Sequence, residues 1–127
     1  MDIIRANEIE TLAMPGVTSR QLLSPRNSAS ERVTITRVSV EPGRVNTRHA
    51  HKGAEQVWIA LGGSGELLLA GDATLPFAEG DVARFAPGDV HGFRNTGAAP
   101  FVYIAVTSPP LDFRPAYESA SRQDAAR

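Results

Sequence analysis

The chain is predicted to be all-β, a sandwich or barrel of short strands, and three observations predict it. Its apolar or alternating runs are short and are cut by glycine, proline and asparagine every roughly eight to twelve residues. No stretch between residues 30 and 107 sustains a helical period. A length of 127 residues with 42% hydrophobic and 21% charged side chains suits one soluble domain around one core.

The first expected strand is 18–23 (TSRQLL), followed by an exposed loop, "SPRNSASE", over 24–31. Next comes 32–41 (RVTITRVSVE), in which Arg37 interrupts the apolar alternation and is read as facing solvent or holding an anion. The turn "EPGR" leads to 46–51 (NTRHAH), and "KGA" connects it to 55–61 (EQVWIAL). Further strands are expected at 64–70, 81–86, 90–94 and 100–107, between turns "LGGSG", "AGDA", "AEGD", "APGD" and "NTGAAP", where glycine supplies positive φ and proline fixes its own. The expected organisation is an N-terminal strand and loop region over 1–30, a barrel core over 31–107, and an arm over 108–127. Two prolines open that arm and cannot continue a central strand, so it is expected to be extended, with a frayed end.

Composition narrows the partners. A net charge of -1 gives no electrostatic reason to expect nucleic acid or an anionic membrane. No apolar run approaches the roughly 20 residues of a membrane span, and the acidic start "MDIIRANEIE" lacks the basic and apolar regions of a secretory signal. The absence of cysteine excludes disulfides, thiolate ligands and a cysteine nucleophile. Cytoplasmic residence is the expectation. Arginine dominates the basic residues, with Lys52 the single lysine, but the arginines are scattered and form no patch.

The chemistry concentrates in the three histidines. On a strand, residues i and i+2 share a face, so His49 and His51 converge on one point. Glu55 has the same parity, and a bend at "KGA" would swing its carboxylate toward them. His91 opens a strand just after a proline–glycine turn, a rigid place from which to aim a ligand. Three imidazoles and one carboxylate suit a divalent transition metal with positions left open. A strand histidine taken singly is more often a half-exposed surface residue, and Glu55 taken alone a solvated charge. The glycine framework around them changes that reading.

That framework reads Gly43-x5-His49-x-His51-x3-Glu55-x6-Gly62 and, after a short spacer, Gly80-x5-Ala86-Pro87-Gly88-x2-His91-x3-Asn95. It resembles the two motifs of the cupins, G-x5-H-x-H-x3,4-E-x6-G and G-x5-P-x-G-x2-H-x3-N. The single departure is Ala86 at the second motif's proline, with Pro87 beside it. The resemblance spans residues 38–107. It implies a double-stranded β-helix, a jelly-roll barrel of two antiparallel sheets, holding one metal ion (Fe, Mn, Ni, Cu or Zn) on His49, His51, Glu55 and His91, with Glu55 either a ligand or a base. It also makes a homodimer the expected assembly, with the N-terminal strand or the "PPLDFRPAY" arm as exchange elements.

Strand parity then places Val57 and Ile59 on the face of Glu55, and Phe93 on that of His91, giving a mostly apolar substrate cavity with Tyr103 and Arg37 as polar candidates. Trp58 is placed on the opposite face, against another strand or subunit, and Asn95 is expected to hydrogen-bond its own turn. Three functions are compatible with such a site: a dioxygenase-like oxidoreductase, a non-redox isomerase, lyase or decarboxylase of a sugar or carboxylic acid, and a non-enzymatic small-ligand or metal-binding module. The apolar cavity favours the first.

Overall fold

A computed structural model describes residues 1–125. Ten strands form two antiparallel sheets, as expected for a double-stranded β-helix. They are β1 (Glu10–Met14), β2 (Val17–Leu23), β3 (Thr34–Val40), β4 (Val45–His49), β5 (Glu55–Gly62), β6 (Ser64–Leu69), β7 (Thr74–Ala78), β8 (Val82–Phe85), β9 (His91–Arg94) and β10 (Phe101–Ser108). The larger sheet runs β1-β2-β3-β10-β5-β8 and the smaller β4-β9-β6-β7.

Alternation along the central strands builds the core. In β10, Phe101, Tyr103, Ala105 and Thr107 are buried while their neighbours are half-exposed. β3 and β5 flank it with Val38, Val40, Trp58 and Ala60 turned the same way. From the smaller sheet Phe93 stacks on Phe101 with ring centroids 3.9 Å apart. Each such fully buried aromatic contributes about 2–3 kcal/mol of apolar transfer.

Two strands escape the sequence reading. β7 contains Pro76, which argues against a central strand; it lies at the edge of the smaller sheet, where a missing N–H leaves no ladder bond unmade. β1 is the other edge case, held to β2 through a tight turn at Gly16, whose φ is +76°. The positive φ expected near Gly62 falls instead on Gly63, at φ +89°. Gly92 has a different purpose. A β-carbon there would sit 2.6 Å from the Asn46 carbonyl oxygen and 2.9 Å from the Arg48 nitrogen, so glycine lets β9 lie close against β4 where the register slips between Asn46 and His49.

The C-terminal arm requires a correction. It is extended only through Phe113; Arg114–Ala125 form a helix, α1, which packs on β1 of its own chain. Pro115 falls in the first turn, where its lacking N–H has no intrahelical partner to lose. The Asp112 carboxylate accepts the Arg114 backbone N–H at 3.1 Å, satisfying one of the free donors at the helix start. The final two residues, where fraying is expected, lie outside the described residues. Among the described residues no helix is long and apolar enough to cross a membrane.

Candidate metal centre

His49 closes β4 and His91 opens β9, and the two face each other as register partners in the smaller sheet. His51 follows β4 into the turn, where its carbonyl accepts the Gly88 N–H at 3.0 Å. Potential ligand nitrogens of the three histidines all lie within 4.8 Å of one another. The convergence expected from i, i+2 spacing and the proline–glycine turn is therefore realised.

Glu55 does not join them. Its carboxylate pairs with Arg84 on the outer surface of the larger sheet. The inward position belongs to Gln56, 4% exposed, whose Oε1 lies 2.9 Å from His91 Nε2. The turn between His51 and β5 breaks the strand parity on which the Glu55 assignment rests. The motif's own latitude of three or four residues was the available signal, since the fourth-residue spacing ends on Gln56.

The same half-turn reverses the other β5 assignments. Val57 and Ile59 face outward with Glu55, whereas Trp58 faces inward and walls the cavity. Arg37 is exposed on the outer face of β3, as a solvent-facing arginine would be, and does not line the cavity. Phe93 points inward but is absorbed in the stack with Phe101, away from the cavity lining. Tyr103 lines the cavity, stacked on Trp58 at 4.2 Å, with its hydroxyl accepting the Asn46 side-chain N–H at 3.0 Å. Asn95 bonds its own turn as expected, accepting the Gly97 N–H at 2.9 Å, and also ties Val40 to Ala99 through their carbonyls.

Hydrogen bonding fixes which way the Gln56 amide turns. Trp58 Nε1 can only donate, and it donates to Gln56 Oε1 at 2.8 Å; the Gln56 amide nitrogen donates to Thr107 Oγ1 at 2.8 Å. The amide therefore turns its oxygen toward His91. The other ring nitrogen of His91, Nδ1, faces the Asp89 carbonyl at 2.9 Å. Both His91 nitrogens thus meet acceptors, and a neutral ring has one proton to offer them. Burial holds its pKa down at about 4, so a second proton does not bind near neutrality.

With its proton on Nδ1 and donated to the Asp89 carbonyl, His91 turns an Nε2 lone pair toward Gln56 Oε1 across 2.9 Å, an arrangement that a cation near both would relieve. His49 Nδ1 faces the Thr47 carbonyl at 2.7 Å, which leaves its Nε2 bare, and His51 Nε2 is buried without a hydrogen-bond partner. Burial also lowers the pKa of His49 and His51, keeping both neutral. Three uncharged imidazoles that converge, with the Gln56 carboxamide oxygen beside one of them, fit a divalent transition metal.

One consequence is measurable in metal-free protein. The folded-state pKa of His91 lies below the unfolded value of 6.5, so the unfolded chain takes up the proton first as pH falls. Its contribution to stability is complete above about pH 6.5 and lost toward pH 4, amounting to about 3 kcal/mol. Urea denaturation of chelator-treated protein should show this loss, and His91→Gln should show less of it. Equal pH dependence in the two proteins would contradict the assignment.

Beside the cluster lies a cavity of about 190 Å3. Trp58, Tyr103 and Ala105 wall it from the larger sheet, and Phe113, Ala116 and Tyr117 close it from the C-terminal segment. Phe113 sits edge-on to His51 with centroids 5.8 Å apart. The helix contribution was not legible in the sequence, where that arm reads as extended.

Fold and site together define a small two-sheet β-barrel with a candidate metal centre at one mouth. The chain belongs to the Cupin domain family, whose model matches residues 36–107. Among solved structures it is similar to ectoine synthase from P. lautus, with TM-score 0.77 and 18% identity over 95% of this chain and 87% of that one. It is similar to KdgF from Halomonas sp., with TM-score 0.72 and 20% identity over 85% and 94% respectively. A predicted oxalate decarboxylase from Thermotoga maritima gives TM-score 0.70 and 27% identity over 86% and 99%. No curated protein matches the chain. The varied activities of these neighbours leave function to be argued from the site.

Proposed function

We propose that the protein is a small metalloenzyme of the oxidoreductase, dioxygenase-like type, holding one divalent transition-metal ion through His49, His51, Gln56 and His91 and acting on a small molecule in the adjoining cavity. The observation that carries this reading is the convergence of uncharged lone pairs beside a cavity whose described lining has no carboxylate, lysine or arginine. When bound, the ion would polarise a substrate oxygen and, if redox-active, supply one-electron chemistry. An all-neutral donor set leaves the ion its full positive charge, which a carboxylate ligand would partly cancel.

The chain's own groups favour this over base-driven chemistry. Burial raises the pKa of both Tyr103 and Tyr117, so their hydroxyls stay protonated and donate rather than accept protons. The three histidines are committed as donors. An isomerase or lyase would therefore lack a free general base in the cavity. Glu55, held outside with Arg84, cannot supply the base.

The test is metal content of untagged protein purified without chelators, followed by oxygen uptake with small uncharged aromatic or enol-bearing compounds. About one iron, manganese, nickel or copper per chain with substrate-dependent uptake is expected. Zinc alone and no uptake would overturn the redox reading, and binding without turnover would leave a small-ligand module.

A second copy of the chain is the partner proposed with this reading. The outer face of the larger sheet carries Val57, Ile59, Val82, Ile104 and Val106 as neighbours across β8, β5 and β10, with Ile59 37% and Val82 64% exposed. A contiguous aliphatic sheet face of this kind is what face-to-face sheet packing buries. Sedimentation at micromolar concentration should give a dimer, and Ile59→Asp a monomer; a monomeric parent protein would sink the proposal.

A further inference from the structure

We infer that Tyr103, oriented by Asn46, is a hydrogen-bond donor to the cavity's ligand, and that the site takes a small planar molecule presenting a carbonyl-type oxygen to that hydroxyl. This role rests on reading the cavity as the substrate site of a metalloenzyme.

Tyr103 lies within β10, paired with Val38 of β3 on one side and Ala60 of β5 on the other. Its ring is stacked on Trp58 with centroids 4.2 Å apart, and the residue is 2% exposed. A ring packed this way has no freedom to leave the cavity wall.

The hydroxyl is held as well. Asn46, on β4 of the smaller sheet, also lines the cavity, and its amide N–H donates to the Tyr103 oxygen at 3.0 Å. An amide nitrogen accepts nothing, so the phenol proton cannot be returned along the same contact. Among the described residues the hydroxyl donates to no acceptor. Burial holds its pKa well above the ordinary phenol value, so the proton stays on oxygen. Tyr103 thus keeps one unspent proton for whatever fills the cavity.

Two properties of the ligand follow. An occupant that brings an oxygen lone pair to the hydroxyl replaces the solvent it displaces, whereas one that brings a methylene leaves a buried donor unpaired. The aromatic lining of Trp58, Tyr103, Phe113 and Tyr117 suits a planar apolar body, and about 190 Å3 suits a small one. A neutral donor also binds more strongly as charge develops on the oxygen it faces, so the same contact serves a carbonyl on its way to an enolate. Tyr103 is accordingly a specificity-determining residue and Asn46 a positioning one.

Acetophenone and α-methylstyrene are suitable probes, because they share a shape and differ in a carbonyl oxygen against a methylene. Isothermal titration calorimetry on the full chain, metal-loaded and again after chelator treatment, should show acetophenone binding about 5-fold or more tightly. Tyr103→Phe keeps the ring against Trp58 and removes only the hydroxyl. The preference should then vanish, with α-methylstyrene bound as well as before. The carbonyl stretch of bound, isotope-labelled acetophenone should lie at lower frequency in the parent protein than in Tyr103→Phe, a difference that altered packing alone does not give. In chelator-treated protein at about pH 8, Asn46→Asp gives the phenol proton an ionised acceptor of its own. It should lower the preference to the level of Tyr103→Phe.

No saturable binding of acetophenone, a preference that survives Tyr103→Phe, or one that survives Asn46→Asp would overturn the inference. Should Tyr103→Phe bind neither probe, its cavity has collapsed and Asn46→Asp decides alone. Metal content measured alongside separates this role from the metalloenzyme reading. A Tyr103-dependent preference in protein that takes up no metal would fail that reading and keep this one. Stoichiometric metal with a preference indifferent to Tyr103 would do the reverse.

Discussion

Replacing His49 and His91 together by alanine is expected to abolish stoichiometric metal binding while leaving the barrel folded. The change removes two of the three converging histidines, one from the end of β4 and one from the start of β9, and no described carboxylate or thiol belongs to the group. The two losses differ in structural cost. His91 is 1% exposed and stacked on Phe85 with centroids 4.2 Å apart and planes at 10°, so its truncation opens a cavity costing about 2–3 kcal/mol. His49 has less packing to lose. Metal content by mass spectrometry and the circular dichroism spectrum are the paired readouts. Loss of the fold in the double variant and in His49→Ala alone would mean that the metal is structural, contrary to an open site.

Gln56→Leu is expected to reduce metal affinity about 10- to 100-fold, and Glu55→Gln to leave it unchanged. The two residues are adjacent in sequence and opposite in the fold. Gln56 is oriented by Trp58 and Thr107 and points its oxygen at His91, whereas Glu55 is paired with Arg84 at the surface. Leucine at position 56 also leaves the Trp58 indole N–H without its acceptor, a buried loss of about 1–3 kcal/mol. A Gln56→Asn variant, which keeps the amide on a shorter arm, guards against reading a folding defect as a binding one. Competition with a chromogenic chelator measures the affinities. A large effect at Glu55 with none at Gln56 would restore the carboxylate as the ligand.

The pattern of what the sequence disclosed follows from the range of each interaction. His49 and His51 were legible because strand alternation is local, and His91 because a proline–glycine turn sets its strand. Asn95 was legible in part for the same reason, since two of its partners, Gly97 and Ala99, lie within four residues of it. Parity carried across the turn after His51 failed, since a turn can change which side the following strand presents. That one slip misplaced Glu55, Val57, Ile59 and Trp58 together. Edge strands β1 and β7 were missed because a short or proline-bearing strand has little pattern of its own and is defined by its neighbour. Pro115 and the polar run after it read as an extended arm, yet a proline is compatible with a first helical turn and packing against β1 does the rest.

From the sequence by itself came an all-β sandwich or barrel and the convergence of three histidines, because periodicity two and turn glycines act within a few residues, while the two-sheet jelly roll came from the resemblance its motifs carry. Only the tertiary structure decided that a carboxamide rather than a carboxylate stands beside His91, that Trp58 walls the cavity, and that Phe113 and the Tyr117 of α1 line it from the C-terminal segment. Those outcomes depend on contacts between β5 and β9, between β5 and β10, and between α1 and the barrel. Such pairings are set by how whole elements pack and where chain parity resumes after each turn, and no local run of residues encodes them.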